Sequence, residues 1–165
     1  MLSSYLTEKE GRSLAMVAIK IILFPCDLTQ HSTKILKYAL GLADTFGSRL
    51  CILHVVQDLR QWAGLYMPHK RLDLEQKEVE EHARKSLIEF CLDIPDARTK
   101  AEKRVVSGDP AEEIIKSAGE EKADLIVMGT HGRKGLEYSL FGSVATKVVR
   151  HAPVPVLTIN PDRIG

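Results

Sequence analysis

A glycine-rich segment near the C-terminus has the residue types and spacing to bind an anion. It contains Gly129, Gly132 and Gly142, and Ser143 follows the last of these, which makes the pattern Gly-x2-Gly-x9-Gly-Ser. Glycines let backbone N–H groups approach a ligand without side-chain obstruction. Gly142 and Ser143 also open a predicted helix, whose N-terminal dipole favours phosphate. With Arg133 adding positive charge, the pattern predicts two donor clusters that could hold successive phosphates of a nucleotide.

A purely structural loop is the alternative interpretation, because glycines after a strand are common turn residues. The segment is not a Walker A loop, which requires Gly-x4-Gly-Lys-[Ser/Thr]. The dinucleotide fingerprint Gly-x-Gly-x-x-Gly is also missing, since Pro25-Cys26-Asp27 follows the first predicted strand. The sequence therefore argues against a nicotinamide-dependent enzyme at the position that is most diagnostic for one.

The glycine segment must be positioned by the elements around it, and these alternate along the chain. Short apolar runs are separated by amphipathic stretches, which indicates strands connected by helices. The predicted strands cover residues 19–24, 49–56, 103–107, 123–128 and 156–159. Strands joined by helical crossovers lie parallel, and right-handed crossovers produce a doubly wound open α/β sheet with helices on both faces. Ligands bind such sheets at the carboxyl ends of the strands.

Two helix assignments in the middle of the chain are specific enough to test. The longest helix is predicted over about residues 72–92, and its acidic run from Glu75 to Glu81 is interpreted as a solvated face. Its approximate buried face is predicted to comprise Leu74, Val79, Ala83, Leu87, Ile88 and Cys91. The next helix is predicted to start with Asp109 as its cap and Pro110 in its first position.

Composition narrows the class of protein and its partners. The chain has 165 residues, of which 44% are hydrophobic and 27% charged, as in an ordinary globular domain. Lys and Arg number 23 against 22 Asp and Glu, so the net charge of +1 supports no nucleic-acid partner. Apolar runs are shorter than the ~20 residues of a membrane helix, and the N-terminus is unlike a signal peptide. We therefore expect a cytoplasmic protein with no membrane partner.

The cysteines and the N-terminus lead to two further expectations. Cys26, Cys51 and Cys91 are far apart and odd in number, which favours reduced thiols over a disulfide framework or a zinc site. Residues 1–18 are expected to be a flexible N-terminal extension, and Met16 is an alternative start. Residues 19–160 are expected to form a single nucleotide-binding domain.

The motifs taken together resemble the universal stress protein family, over about residues 17–160. The resemblance rests on Phe24-Pro25-x-Asp27, Leu53-His54-Val55, Ile126-Val127-Met128-Gly129-Thr130-His131-Gly132, Gly142-Ser143-Val144 and His151-Ala152-Pro153-Val154-Pro155-Val156-Leu157. It implies a Rossmann-like sheet of five parallel strands in the order 3-2-1-4-5. The complete glycine pattern resembles the ATP-binding branch of the family, which implies ATP as the ligand, or ADP or AMP, with Mg²⁺ as a candidate companion.

The resemblance also assigns residues to the two ends of the nucleotide. By this match Gly129, Gly132, Gly142, Ser143 and Val144 would hold the ribose and the phosphates. Pro25, Asp27, Val55 and Met128 would surround the adenosine end. The full candidate set, with the two neighbours added, is Pro25, Cys26, Asp27, Val55, Met128, Gly129, Gly132, Arg133, Gly142, Ser143 and Val144. Cys26 departs from the family, where Thr or Ser is frequent, and a thiol is a poorer hydrogen-bond partner.

Two candidate residues have alternative roles that the sequence leaves open. Asp27 could contact the nucleotide or cap the first helix. His54 lies in an apolar strand, where a hydrogen-bonded core histidine is favoured over a catalytic one. No Ser-His-Asp or paired-carboxylate arrangement is recognisable, so no catalytic residue is predicted.

The resulting hypothesis is an ATP-binding stress-response regulator with an unknown regulatory protein partner. The resemblance implies a homodimer through the last strand, Val156 to Ile159, and a bare apolar edge there would invite such pairing. A monomer whose N-terminal extension covers that edge is the alternative. Two other functions stay open: a slow ATP hydrolase or nucleotide-transferring enzyme that uses the same site, and an apo dimeric interaction protein.

Overall fold

Five short apolar segments pair into one parallel sheet. The computed structural model describes residues 17–59, 69–130 and 142–164. The strands are β1 (Ile21–Pro25), β2 (Arg49–Val56), β3 (Ala101–Ser107), β4 (Leu125–Gly129) and β5 (Val156–Ile159). Their spatial order is β3-β2-β1-β4-β5, and each neighbouring pair is parallel. The predicted α/β architecture and strand order are confirmed.

Helices connect the strands, and some of them begin at a side-chain cap. They are α1 (Gln30–Phe46), α2 (His69–Leu92), α3 (Pro95–Lys100), α4 (Pro110–Glu120) and α5 (Ser143–His151). Gly47 ends α1 with a left-handed φ of 64°, which glycine adopts without steric cost. Asp109 caps α4, and Pro110 occupies its first turn as predicted. The short helix α3, which was not predicted, carries a proline in its first turn, where no N–H donor is needed.

Two apolar cores cover the two faces of the sheet. Ile22 and Phe24 of β1 pack on one face with residues of α1, α2 and α3, whereas Leu23 packs on the other with residues of α4 and α5. This alternation follows from the two-residue period of a strand. Because both faces are buried, the central strands are apolar throughout. Among the described helices, none is long and apolar enough to cross a membrane.

The buried face of α2 differs from the predicted one. Leu74, Val79 and Ile88 are exposed, whereas Leu72 and Gln76 are buried. The predicted buried face of α2 is therefore wrong at these positions, although Ala83, Leu87 and Cys91 do face the core. A charged helix with few apolar residues gives a weak periodic signal, so the packing against β2 and β3 decides which side turns inward.

The sheet opens between β1 and β4, at the end where their loops leave it. The ladder between these neighbours pairs Ile22 with Leu125 and Leu23 with Ile126. β1 continues to Pro25 and β4 to Gly129 beyond that ladder. The chain then enters α1 on one face of the sheet and α5 on the other. The strand order reverses between β1 and β4, and open α/β sheets bind their ligands in the crevice at such a position.

Candidate functional site

The wall of the crevice after β1 is a tight turn built around the Asp27 carboxylate. Its Oδ1 accepts hydrogen bonds from the backbone N of Thr29 at 3.1 Å, the Thr29 hydroxyl at 2.6 Å and the Ser32 hydroxyl at 2.7 Å. Thr29 in turn is the N-cap of α1 and accepts from Ser32 N at 3.4 Å. Leu28 between them has a φ of 63°, a left-handed conformation that costs about 1–2 kcal/mol in a non-glycine residue. Asp27 thus organises the start of α1.

Two hydrogen bonds to β2 hold Cys26, the residue before this turn, in place. The N–H of Cys26 donates to the carbonyl of Leu53 at 2.8 Å. The Cys26 carbonyl lies 2.8 Å from Nδ1 of His54. A carbonyl oxygen can only accept, so Nδ1 carries the proton. His54 is buried and makes the contact expected of a core histidine.

The opposite wall is formed by the end of β4 and the start of α5. Thr130 N donates to the carbonyl of Ile159 at 2.9 Å, and the Thr130 carbonyl accepts from Gly142 N at 2.7 Å. Gly142 is the N-cap of α5. The end of β4 and the first turn of α5 are therefore joined directly. The candidates Gly132 and Arg133 lie between these two points and outside the described residues.

The N-terminus of α5 differs from those of α1 and α4. α1 is capped by the Thr29 side chain, and α4 by Asp109, which accepts from Glu112 N at 3.0 Å. Within the described part of the chain, no side chain caps α5. Its first turn contains no acidic residue, and Ser143 is exposed. The first N–H groups of a helix need acceptors from outside. Of these three helix N-termini, that of α5 is the one that no described side chain caps.

An ion pair ties α5 to α4 beside this N-terminus. The Lys147 ammonium lies 3.2 Å from Oδ1 of Asp109 and 3.0 Å from Oε1 of Glu112. The backbone N–H of Glu112, and then Lys147, hold the pKa of Asp109 below its ordinary value. Asp109 is thus a charged cap and a link between two helices.

The remaining candidates line the same edge of the sheet. Pro25 and Gly129 are the last residues of neighbouring strands. Val55, Met128 and Val144 belong to one apolar cluster on the face covered by α4 and α5. The structure therefore brings residues from β1, β2, β4 and α5 to one crevice. It describes no group of three or more His, Cys, Asp or Glu side chains that could hold a metal ion within residues 17–59, 69–130 and 142–164.

Sequence reasoning missed a polar cluster at the ends of β2 and β3. Gln76 of α2 is 4% exposed. Its Oε1 accepts from Leu59 N at 2.9 Å, and its Nε2 donates to the Ser107 hydroxyl at 2.9 Å. Ser107 then donates to Oε1 of Glu80 at 2.6 Å. The acidic run was expected to be solvated, but Gln76 and Glu80 point inward, and an uncharged residue within the run was the available signal.

The three cysteines are free thiols, as their spacing predicted, and the structure shows that all three are buried. Burial raises the pKa of the Cys51 thiol to about 11 and also raises that of Cys91. Thiols need the thiolate form to react. Cys51 and Cys91 are therefore structural, and Cys26 contributes to the core beside the crevice.

The strand order and the helices on both faces of the sheet define a doubly wound α/β protein whose strand order reverses between β1 and β4. The chain belongs to the universal stress protein family, because the model of that family matches residues 18–160. Universal stress protein MJ0531 of Methanocaldococcus jannaschii is 34% identical over 141 residues, which cover 86% of this chain and 82% of that protein.

Solved structures agree with this assignment. The structure of MJ0577, also from M. jannaschii, superposes with a TM-score of 0.73 at 26% identity, covering 87% of this chain and 96% of that one. A universal stress protein in complex with cAMP has a TM-score of 0.56 at 22% identity and covers 87% of this chain and 98% of that one. At that identity the second likeness shows the shared fold.

Proposed function

We propose that this universal stress protein is a regulator that binds an adenine nucleotide, with ATP as the expected ligand, in the crevice between β1 and β4. The observation that carries the proposal is the first turn of α5. None of the residues that the structure describes caps it with a side chain, and it contains no acidic residue. It is linked to the end of β4 by the hydrogen bond from Gly142 N to the Thr130 carbonyl. A helix N-terminus of this kind favours phosphate through its dipole and its N–H groups.

The phosphates would lie at Gly142, Ser143 and Val144, where the Gly-x2-Gly-x9-Gly-Ser pattern ends. The nucleoside would then extend across β1 toward β2. Neighbouring strands are about 4.8 Å apart, so a nucleoside about two strand spacings long would reach from α5 to the end of β2. Mg²⁺ typically takes a large share of its ligands from water and phosphate oxygens in nucleotide sites.

The likeness to the cAMP complex supports this proposal at the level of the fold, since that universal stress protein holds an adenine nucleotide on the same architecture. A binding role is favoured over turnover by the two carboxylates at the strand ends. Asp27 is engaged by three hydrogen bonds within its own turn, and Asp109 by a helix start and Lys147. Phosphoryl transfer would need carboxylates available for metal ions or an attacking water.

Ser143 offers a test that separates charge from folding. Ser143 is exposed in the first turn of α5, so Ser143→Asp places a negative charge where the phosphates would lie. The same charge favours the helix dipole, so the melting temperature should not fall. Isothermal titration with Mg-ATP should show an affinity at least tenfold weaker for Ser143→Asp than for Ser143→Asn, which has nearly the same shape.

Equal ATP affinities of the two variants would contradict the proposal. Nucleotide released from freshly purified protein by denaturation, separated on an anion-exchange column, gives an independent measurement. ATP or ADP near one per chain would support the site. An empty protein that also fails to bind added Mg-ATP would leave an interaction protein as the better hypothesis.

We further propose a homodimer through β5. This strand ends the sheet, and no described strand pairs with its outer edge. Leu157 on it is 40% exposed. Bare apolar edges favour pairing with another strand, and a second copy of β5 offers a matching edge.

A further inference from the structure

A single buried amide connects three segments at the ends of β2 and β3. Gln76 projects from α2 and bonds both to the backbone N–H of Leu59 and to the hydroxyl of Ser107. Ser107 is in register with Val56, and Gly108 N donates to the Val56 carbonyl at 2.9 Å. The hydrogen bonds of Gln76 therefore hold the chain at the point where β2 ends and the chain leaves the sheet.

Because the Gln76 side chain is buried, its inward position depends on its hydrogen-bond partners. An unpaired amide in an apolar site costs several kcal/mol, so Gln76 is stable inward only while its partners stay in place. Ser107 uses its own proton for Glu80, which leaves its oxygen lone pairs to accept from Gln76. The directions of the three hydrogen bonds are thereby set, and the Gln76 oxygen is directed to the N–H of Leu59.

We propose that Gln76 is a positioning residue for the nucleoside end of the crevice. It holds residues 57–59 at the mouth of β2, and so sets the wall against which the base and ribose would pack. The inference rests on the proposed nucleotide site, in which the phosphates lie at α5 and the nucleoside reaches β2. Gln76 itself lies behind this wall, on the face covered by α2, and would act through the backbone it holds.

The proposal predicts that a change at Gln76 weakens the binding of ligands that contain the nucleoside and spares a ligand that contains only phosphates. Gln76→Met keeps the approximate size of the side chain but removes both hydrogen bonds. It should weaken the binding of adenosine and of ATP by the same factor, at least tenfold, because both ligands use the nucleoside wall. Binding of inorganic tripolyphosphate, which would use α5 alone, should stay within about twofold of the wild type. Isothermal titration of each ligand measures this.

Asp124→Ala is a matched control at the opposite end of the strands, where β1 and β4 begin. The Asp124 carboxylate accepts from the backbone N–H groups of Lys20 at 2.8 Å and Ile21 at 3.0 Å, so it also holds the end of a strand. Its removal should lower the melting temperature as Gln76→Met does and leave adenosine binding unchanged. A comparable loss of adenosine binding in this control would show that general destabilisation is the cause, and would overturn the proposal.

Gln76→Glu separates positioning from stability, and it serves if Gln76→Met does not fold. A glutamate keeps an oxygen for the N–H of Leu59, although its charge near Glu80 should lower the melting temperature. Adenosine binding within threefold of the wild type would support the proposal, and a tenfold loss would overturn it. A Gln76→Met protein that binds adenosine normally would overturn it while the nucleotide site stands, whereas a wild type that binds neither ATP nor adenosine would overturn both.

Discussion

His54 donates from Nδ1 to the carbonyl oxygen of Cys26 across 2.8 Å, and this bond joins the interior of β2 to the residue that follows β1. Both residues are buried. The bond and the backbone bond from Cys26 N to Leu53 O together hold the start of the Asp27 turn against β2. The geometry of one crevice wall thus depends on a histidine in the neighbouring strand.

Replacing that histidine should destabilise the protein. His54→Leu has a similar volume but no donor, so the buried Cys26 carbonyl loses this hydrogen bond, which costs about 1–3 kcal/mol. Urea unfolding followed by circular dichroism measures the free energy of unfolding. His31→Leu is the control, since the His31 side chain is 42% exposed and its Nε2 lies 3.6 Å from Oδ1 of Asp162. The control should change stability by less than about 0.5 kcal/mol. Equal effects would argue against the role of the bond.

Replacing serine by alanine should change the free energy of unfolding in opposite directions at two positions. The buried hydroxyl of Ser117 in α4 has no hydrogen-bond partner among the described residues, so Ser117→Ala should raise the free energy of unfolding by about 1 kcal/mol. The Ser32 hydroxyl donates to Asp27 at 2.7 Å, so Ser32→Ala should lower it by about 1 kcal/mol. Thermal and urea unfolding of both variants would test the pair, and a destabilised Ser117→Ala would mean that its hydroxyl is satisfied in solution.

A charge network on β2, β3 and the end of α4 predicts a pH dependence. Glu121 accepts from Arg49 at 2.9 Å and from Arg104 at 2.5 Å, and its side chain is 16% exposed. The bond from Arg49, and then that from Arg104, lower the pKa of Glu121 from its ordinary value of 4.5. Glu121→Gln should cost about 1–2 kcal/mol at pH 7, more than an isolated surface pair, because one carboxylate serves two guanidinium groups.

The sign of that dependence follows from the lowered pKa. A carboxyl whose pKa falls on folding stabilises the protein above its unfolded-state pKa and loses this contribution as pH falls through the folded-state pKa. The stability difference between wild type and Glu121→Gln should therefore be constant above about pH 5.5 and shrink on further acidification. Urea unfolding at several pH values would measure it, and a difference that grows toward acid would contradict this account.

The proposed dimer can be tested at one backbone position. The carbonyls of Pro155 and Ile159 accept from β4, so by alternation the N–H of Thr158 faces the bare edge of β5. Thr158→Pro removes that donor and leaves the bonds to β4 in place. Light scattering should give the mass of two chains for the wild type and for Thr158→Val, and one chain for Thr158→Pro. A wild type with the mass of one chain would contradict the dimer.

Much of the fold could be predicted because the relevant signals are local. The start of α5 at Ser143 and the bounds of β5 at 156–159 agree with the prediction. Asp109 and Pro110 mark the start of α4, and Gly47 the end of α1. Caps act within one turn and strand alternation within two residues, so each signal lies inside the segment that it describes.

The candidate crevice was predictable in outline for a different reason. The residues after parallel strands meet at one edge of the sheet, so Pro25, Val55 and Gly129 could be grouped once the strands were known. The orientation of α2 could not be derived in this way. Its charged sequence has little apolar periodicity, and Leu74 and Ile88, which fit the stripe, are exposed.

The sequence by itself determined the succession of strands and helices along the chain, apart from the short helix α3. It also determined the cap of α4 and the glycine pattern, because these signals depend on neighbours along the chain. The tertiary structure alone decided that Gln76 turns inward, that His54 bonds to Cys26 and that Glu121 serves two arginines. The partners of these side chains lie 17 to 72 residues away. A hydrogen bond depends on distance and direction in space, and only the packed sheet and helices bring such partners together.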